Sequence, residues 1–155
     1  MLSARRATRR AAAVVAVVLV ADQLTKQLVR SSIALGDSRH LLPGVTLVRA
    51  QNSGIAFSLF TGSEAVVIIV AALVLAVVLA YFARHCERPW MWLACGLIVG
   101  GALGNLIDRL RDGVVTDFIK LPDWPAFNVA DASITLGVLA LALVVGRGGA
   151  AARPA

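Results

Sequence analysis

Four stretches of this chain are apolar for long enough to cross a lipid bilayer, and nothing else in it limits the fold so strongly. They run from about Ala11 to Val29, Glu64 to Phe82, Trp90 to Ile107 and Asp131 to Val145. A hydrocarbon core about 30 Å thick takes about 20 helical residues. With 155 residues, 59% of them hydrophobic, a water-soluble fold would leave far more apolar surface wet than such folds do. The expectation is one all-α integral membrane domain over 1–155, with four transmembrane helices and polar tails at 1–10 and 147–155. The Gly/Ala-rich tail after Gly146 reads as unstructured. Trp90 and Trp92 open the third span, where amphipathic rings favour the membrane interface.

The formal charge is +6, but the basic residues form no single stripe and have no aromatic interleaving, which argues against a nucleic-acid partner. They sort instead by side of the membrane. Both termini and the loop between spans two and three carry Arg5, Arg6, Arg9, Arg10, Arg84, Arg88, Arg147 and Arg153 against Glu87, a net +7. The opposite side holds seven basic and eight acidic residues, a net −1. By the positive-inside rule both termini are expected in the cytoplasm and two loops outside. Arg9-Arg10 before an apolar stretch also resembles a secretory signal, but Leu19-Val20-Ala21 is a poor cleavage site and the remaining chain still crosses the membrane repeatedly. In the first outer loop, Pro43-Gly44 marks a turn and Val45 to Val48 a short strand, so a small β element is expected on the outer surface.

Five polar clusters fall on that outer side: Asp22-Gln-Leu-Thr-Lys26, Gln51-Asn-Ser-Gly-Ile-Ala-Phe-Ser58, Gly101-Ala-Leu-Gly-Asn-Leu-Ile-Asp-Arg109, Val114-Val-Thr-Asp-Phe-Ile119 and Phe127-Asn-Val-Ala-Asp-Ala-Ser-Ile134. Ionisable groups at membrane depth are costly, and their convergence at one face points to a site. Several members also have structural readings. Asp22 and Lys26, one helical turn apart, can form an ion pair. Asn52 and Gly54 can make a turn, and Asn105 can hydrogen-bond between helices. Asp108 and Arg109 can be an interfacial charge pair, a poor proton shuttle because the guanidinium keeps the carboxylate ionised. Gly96, Gly100 and Gly104, at every fourth position, read as a helix-packing stripe.

Asp117 and Asp131 differ, because their sequence neighbours are apolar and neither adjoins a basic residue. Two such carboxylates brought together share one proton, as acid–base hydrolysis by an aspartic dyad requires. Phe118, Ile119 and Phe127 beside them are expected to line an apolar cleft. Cys86 and Cys95 lack zinc-ligand spacing and read as structural. The chain has neither HExxH nor a G-x-S-x-G with a histidine, and His40 and His85 fall on opposite sides of the membrane. The competing function class is a small transporter or proton relay, which would tend to carry its acidic groups at the midplane and show internal repeats. A membrane assembly factor held by the glycine stripe is a further alternative.

In order along the chain, these motifs resemble lipoprotein signal peptidase (type II signal peptidase). The resemblance implies four helices with a small periplasmic β-cradle and a short helical stretch, in the bacterial inner membrane. It implies an aspartic endopeptidase without metal or other cofactor. Its substrates would be diacylglyceryl-modified prolipoproteins, whose signal peptide it removes before the lipid-modified cysteine. The catalytic pair maps onto Asp117 and Asp131, and the supporting residues onto Asp22, Lys26, Asn52, Gly54, Asn105, Asp108, Arg109, Asn128 and Ala130. Thr116 departs from the family's usual valine and could add a hydrogen bond near the dyad.

Overall fold

The computed structural model describes residues 2–53 and 64–150. Helix α1 spans Leu2–Ser32, followed by strands β1 (Ser38–Leu42) and β2 (Val45–Asn52), helices α2 (Glu64–His85) and α3 (Met91–Asp112), strand β3 (Val115–Lys120) and helix α4 (Val129–Ala150). All four helices have the length and composition to cross a membrane. Two run further than the sequence suggests. α1 begins at Leu2, inside the segment read as a tail, and α4 continues to Ala150, past the Gly/Ala-rich point taken as the start of an unstructured tail. Once an apolar stretch has paid for helix nucleation, each added residue gains a backbone hydrogen bond, and the alanines and arginines of residues 4–10 are good helix formers.

α3 is the axis of the bundle. In its most apolar stretch 61% of the residues are buried, against none in that of α2. It packs on α1, α2 and α4; α1 also touches α4, whereas α2 packs on α3 alone among the described residues. Missing side chains on α3 permit this close packing. A Cβ at Gly96 or Gly100 would come within 3.0 Å of the Val14 or Val18 side chain of α1, and one at Gly101 would lie 2.4 Å from the Ala130 carbonyl oxygen of α4. The expected stripe of Gly96, Gly100 and Gly104 thus faces α1, while Gly101 lets α4 approach from another side.

The β element is larger than one strand. β1, β2 and β3 form an antiparallel sheet in that order. The β1–β2 hairpin turns at Pro43-Gly44, where Gly44 takes a φ of 79° that few other residues would tolerate. β2 reaches Asn52, well past Val48, and β3 lies in what reads as a loop. β3 is missed because it is buried, with an acid inside an otherwise apolar run, so it shows no alternation. Val29, Ile33 and Phe118 form a buried cluster, flanked by Leu47, Ile119 and Val129, that fastens the sheet to the end of α1 and the start of α4. Among the described residues there is no helix besides these four.

Candidate active site

The sheet, the C-terminal ends of α1 and α3 and the N-terminal end of α4 meet at one end of the bundle. Ten of the eleven site residues named from the sequence lie there; Gly54 falls outside the described residues.

Asn128 is the junction. It is the residue before α4, and its Oδ1 accepts the Asp131 backbone N–H at 2.9 Å while Asp131 Oδ2 accepts the Asn128 N–H at 3.2 Å. This reciprocal pair is a helix capping box built from Asn and Asp three residues apart, and it fixes the Asp131 rotamer. The Asn128 amide nitrogen donates to Asp117 Oδ1 at 2.7 Å and to Asn105 Oδ1 at 3.2 Å. A single residue, its side chain fully buried, therefore bonds both carboxylates, Asp117 through its side-chain amide and Asp131 through its backbone N–H. Asn105 on α3 donates to Asp131 Oδ1 at 2.8 Å, and Asn52, the last residue of β2, donates to Asp117 Oδ2 at 3.0 Å.

Each carboxylate oxygen of the pair thus accepts an amide hydrogen bond. The apolar sequence neighbours of Asp117 mislead on this point. Alternation along β3 turns Phe118 away into the cluster with Val29 and Ile33, so it does not line a cleft with Asp117. The surroundings of Asp117 come from other elements. Burial pushes its proton affinity above the ordinary carboxylate value. The Asn52 amide pulls it down, the Asp131 carboxylate raises it, and the Asn128 amide and Lys26 lower it again, with the balance remaining upward. Lys120, three residues away, donates to the Trp124 carbonyl at 2.7 Å.

Behind the pair lies a buried ionic layer. The Lys26 ammonium, fully buried, contacts Asp22 Oδ2 at 2.8 Å, Asp108 Oδ2 at 3.0 Å and Asn105 Oδ1 at 2.9 Å, so each of its three hydrogens has an acceptor. Asp22 Oδ1 accepts the Ala130 N–H at 2.9 Å, linking the layer to the first turn of α4. Ala130 is itself fully buried, and a Cβ at Gly104 would lie 2.6 Å from Asp22 Oδ2. Lys26 thus orients Asn105, and Asn105 orients Asp131 and Asn128.

Asp108 and Arg109 do not pair. The cations at Asp108 are Lys26 and, at 4.0 Å, Arg30. Arg109 donates instead to the Asn105 carbonyl at 3.3 Å. Adjacent helical residues point in different directions, so sequence adjacency overstated the contact. Two further residues belong to the layer. Gln23 Nε2 lies within 3.2 Å of Asp22 Oδ2, Asp108 Oδ1 and the Gly104 carbonyl. Arg30 Nη1 lies 3.2 Å from both Asp112 Oδ2 and Thr116 Oγ1. The signal for Arg30 was available: Asp22, Lys26 and Arg30 recur at every fourth position along one helix face. The Thr116 N–H bonds Asp108 Oδ2 at 3.3 Å and its hydroxyl accepts from Arg30, so the hydrogen bonds of Thr116 serve the ionic layer and not the dyad. Among the described residues no group of three or more His, Cys, Asp or Glu side chains is placed to hold a metal ion.

The comparisons with known proteins agree with one another. A family model described as signal peptidase (SPase) II matches residues 14–146. A lipoprotein signal peptidase of Halothermothrix orenii is 37% identical over 131 residues, covering 84% of this chain and 90% of the relative. One of Syntrophomonas wolfei is 42% identical over 129 residues, covering 83% and 87%. A solved bacterial membrane enzyme structure, determined by the in meso method at 2.3 Å resolution, superposes with a TM-score of 0.85 at 28% identity, covering 94% of this chain and 92% of that one.

Proposed function

The chain belongs to the signal peptidase II family, and from that premise we propose that it is an aspartic endopeptidase removing signal peptides from diacylglyceryl-modified prolipoproteins, cutting before the lipid-modified cysteine. It is a bacterial multi-pass membrane protein. The charge split supports an orientation with both termini in the cytoplasm and the site near the outer face.

The observation that carries the mechanism is the bridging of Asp117 and Asp131 by Asn128, with an amide donor on every carboxylate oxygen. The pair holds one proton. Asp117, whose proton affinity is raised by burial, carries it and donates to the scissile carbonyl oxygen, while Asp131 takes a proton from the attacking water. A C–O bond forms and a tetrahedral diol results. Collapse breaks the C–N bond, the leaving nitrogen takes the proton held by Asp131, and Asp117 recovers its own from the diol. The amides position the carboxylates, and no covalent enzyme intermediate is needed. Placing the site at the outer interface lets the acyl chains of the modified cysteine stay in lipid, at about 0.8 kcal/mol per buried methylene.

The test is cleavage of modified and unmodified precursor at equal concentration in mixed micelles. Asp117→Asn and Asp131→Asn are each expected to abolish cleavage with the helical fold retained, and the unmodified precursor is expected to be cut poorly. Near-normal turnover by either variant sinks the dyad, and equal kcat/KM for the two precursors removes the lipid requirement. Cleavage of neither, with proton flux across liposomes, points to a proton relay.

A further inference from the structure

At the other end of the bundle α1 and α2 stand apart, each packed on α3 and, among the described residues, not on each other. The gap is a groove of about 390 Å³, its walls including Ala12 and Ala16 of α1, Leu79 and Phe82 of α2, and Gly96 and Val99 of α3. Thr8 brings the only hydroxyl, and it turns back onto the Ala4 carbonyl at 3.0 Å. One helical turn below Thr8 and Leu79, a second, polar hollow begins at Ala4 and Ala83 and is lined by Arg84, His85, Glu87 and Arg88. Apolar groove and polar mouth are thus stacked along the same faces of α1 and α2.

The charged groups at the mouth are not balanced. His85 Nδ1 lies 3.0 Å from the Tyr81 carbonyl and its ring stacks on Tyr81. Glu87 accepts the Ser3 hydroxyl. Among the described residues, neither Arg84 nor Arg88 forms an ion pair. Arg5 lies three and seven residues before Thr8 and Ala12, on the same side of α1, so three positive charges stand against the one negative charge of Glu87, a net +2. Arg10, by contrast, sits over the Trp92 ring at 5.6 Å.

We propose that this groove is a binding site for one anionic phospholipid, with an acyl chain between α1 and α2 and the phosphate at Arg84 and Arg88. Helix-bounded apolar grooves below clustered basic residues bind such headgroups by charge at the mouth and chain burial above it. The charge also selects against the other long apolar occupant available to a peptidase of this kind. A signal peptide begins with a basic segment, which the uncompensated arginines would repel. In the orientation proposed above, the site faces the cytoplasmic leaflet; lipid binding itself does not depend on the dyad or on the substrate.

The full chain, purified in a non-ionic detergent, is titrated with phosphatidylglycerol and phosphatidylcholine of identical acyl chains, and bound lipid is counted by native mass spectrometry. Wild type should retain phosphatidylglycerol preferentially, by roughly fivefold for each arginine engaged. Arg84→Gln with Arg88→Gln should abolish the preference and leave weak retention of both lipids. Ala12→Phe, at a lipid-facing position, should fill the groove and reduce retention of both, whereas Leu139→Phe, on the lipid-facing side of α4, should change neither. Equal retention of the two lipids by wild type overturns the proposal. So does an Ala12→Phe variant that keeps its lipid but shows a raised KM for precursor, since the groove would then hold signal peptide. If Ala12→Phe fails to fold, the surface arginine pair still decides.

Discussion

Replacing Asn128 with serine separates the two tasks this residue performs. Serine is as good a helix N-cap as asparagine, so its hydroxyl can still accept the Asp131 N–H and α4 should start normally. It cannot supply the amide that donates to Asp117 at 2.7 Å and Asn105 at 3.2 Å. Losing one hydrogen bond to a carboxylate costs about 1.5–3 kcal/mol and one to a neutral amide about 0.5–1.5 kcal/mol. The expected destabilisation is therefore about 2–4.5 kcal/mol, less whatever a water in the vacated space restores. The effect on chemistry has a defined sign. The Asn128 amide lowers the proton affinity of Asp117, so its removal raises that affinity further, and the alkaline limb of kcat/KM should move to higher pH. Asn128→Asp provides the contrast: it keeps the cap and the size but sets a third carboxylate against Asp117 and Asp131. A carboxylate whose folded pKa is raised contributes stability that is full below the ordinary value and is lost as pH rises through the raised one. Asn128→Asp should thus be less stable than Asn128→Ser at neutral pH and gain on it as the pH falls. Unfolding in micelles at neutral and mildly acidic pH, together with cleavage rates across pH, measures all of this. An alkaline limb that stays put or falls in Asn128→Ser, or an Asn128→Asp variant as stable as wild type at neutral pH, would refute the bridging role.

Lys26→Met should be among the most damaging substitutions outside the dyad, because Asp22 would remain buried without its cation and Asp108 with only Arg30 at 4.0 Å; a loss of about 3–5 kcal/mol is expected in the same unfolding assay, and a near-neutral effect would contradict the ionic layer. Thr116→Val removes one hydrogen bond from the charged Arg30 guanidinium, so it should cost about 1.5–3 kcal/mol and leave the pH profile of cleavage unchanged; a shifted profile would place Thr116 at the dyad. A reporter fused after Ala155 should be active only if the reporter works in the cytoplasm, and periplasmic activity would reverse the orientation.

The sequence by itself determined the solvent and the composition of the site. Runs of apolar residues this long are stable only in lipid, where every backbone polar group must be satisfied within a helix, so the four helices were legible without knowledge of their partners. The cost of polar groups at membrane depth made the five clusters conspicuous and gathered Asp22, Lys26, Asn105, Asp117, Asn128 and Asp131 at one end. The partners of those residues were decided only by the tertiary structure. Asp108 and Arg109 are adjacent in the chain yet unpaired, whereas Asp108 meets Lys26 from a helix more than eighty residues away, because adjacent helical side chains diverge and packed helices converge. β3 was invisible as a strand because it is buried on both faces and carries the acid that made it look like a loop. Asp117 seemed to have an apolar environment when read along the chain and proved to have amides on both oxygens. Local sequence fixes backbone state and hydrophobic burial, which depend on near neighbours. Proton affinity depends on charges and dipoles within a few ångströms in space, and only the packing of α1, α3, α4 and the sheet brings those together.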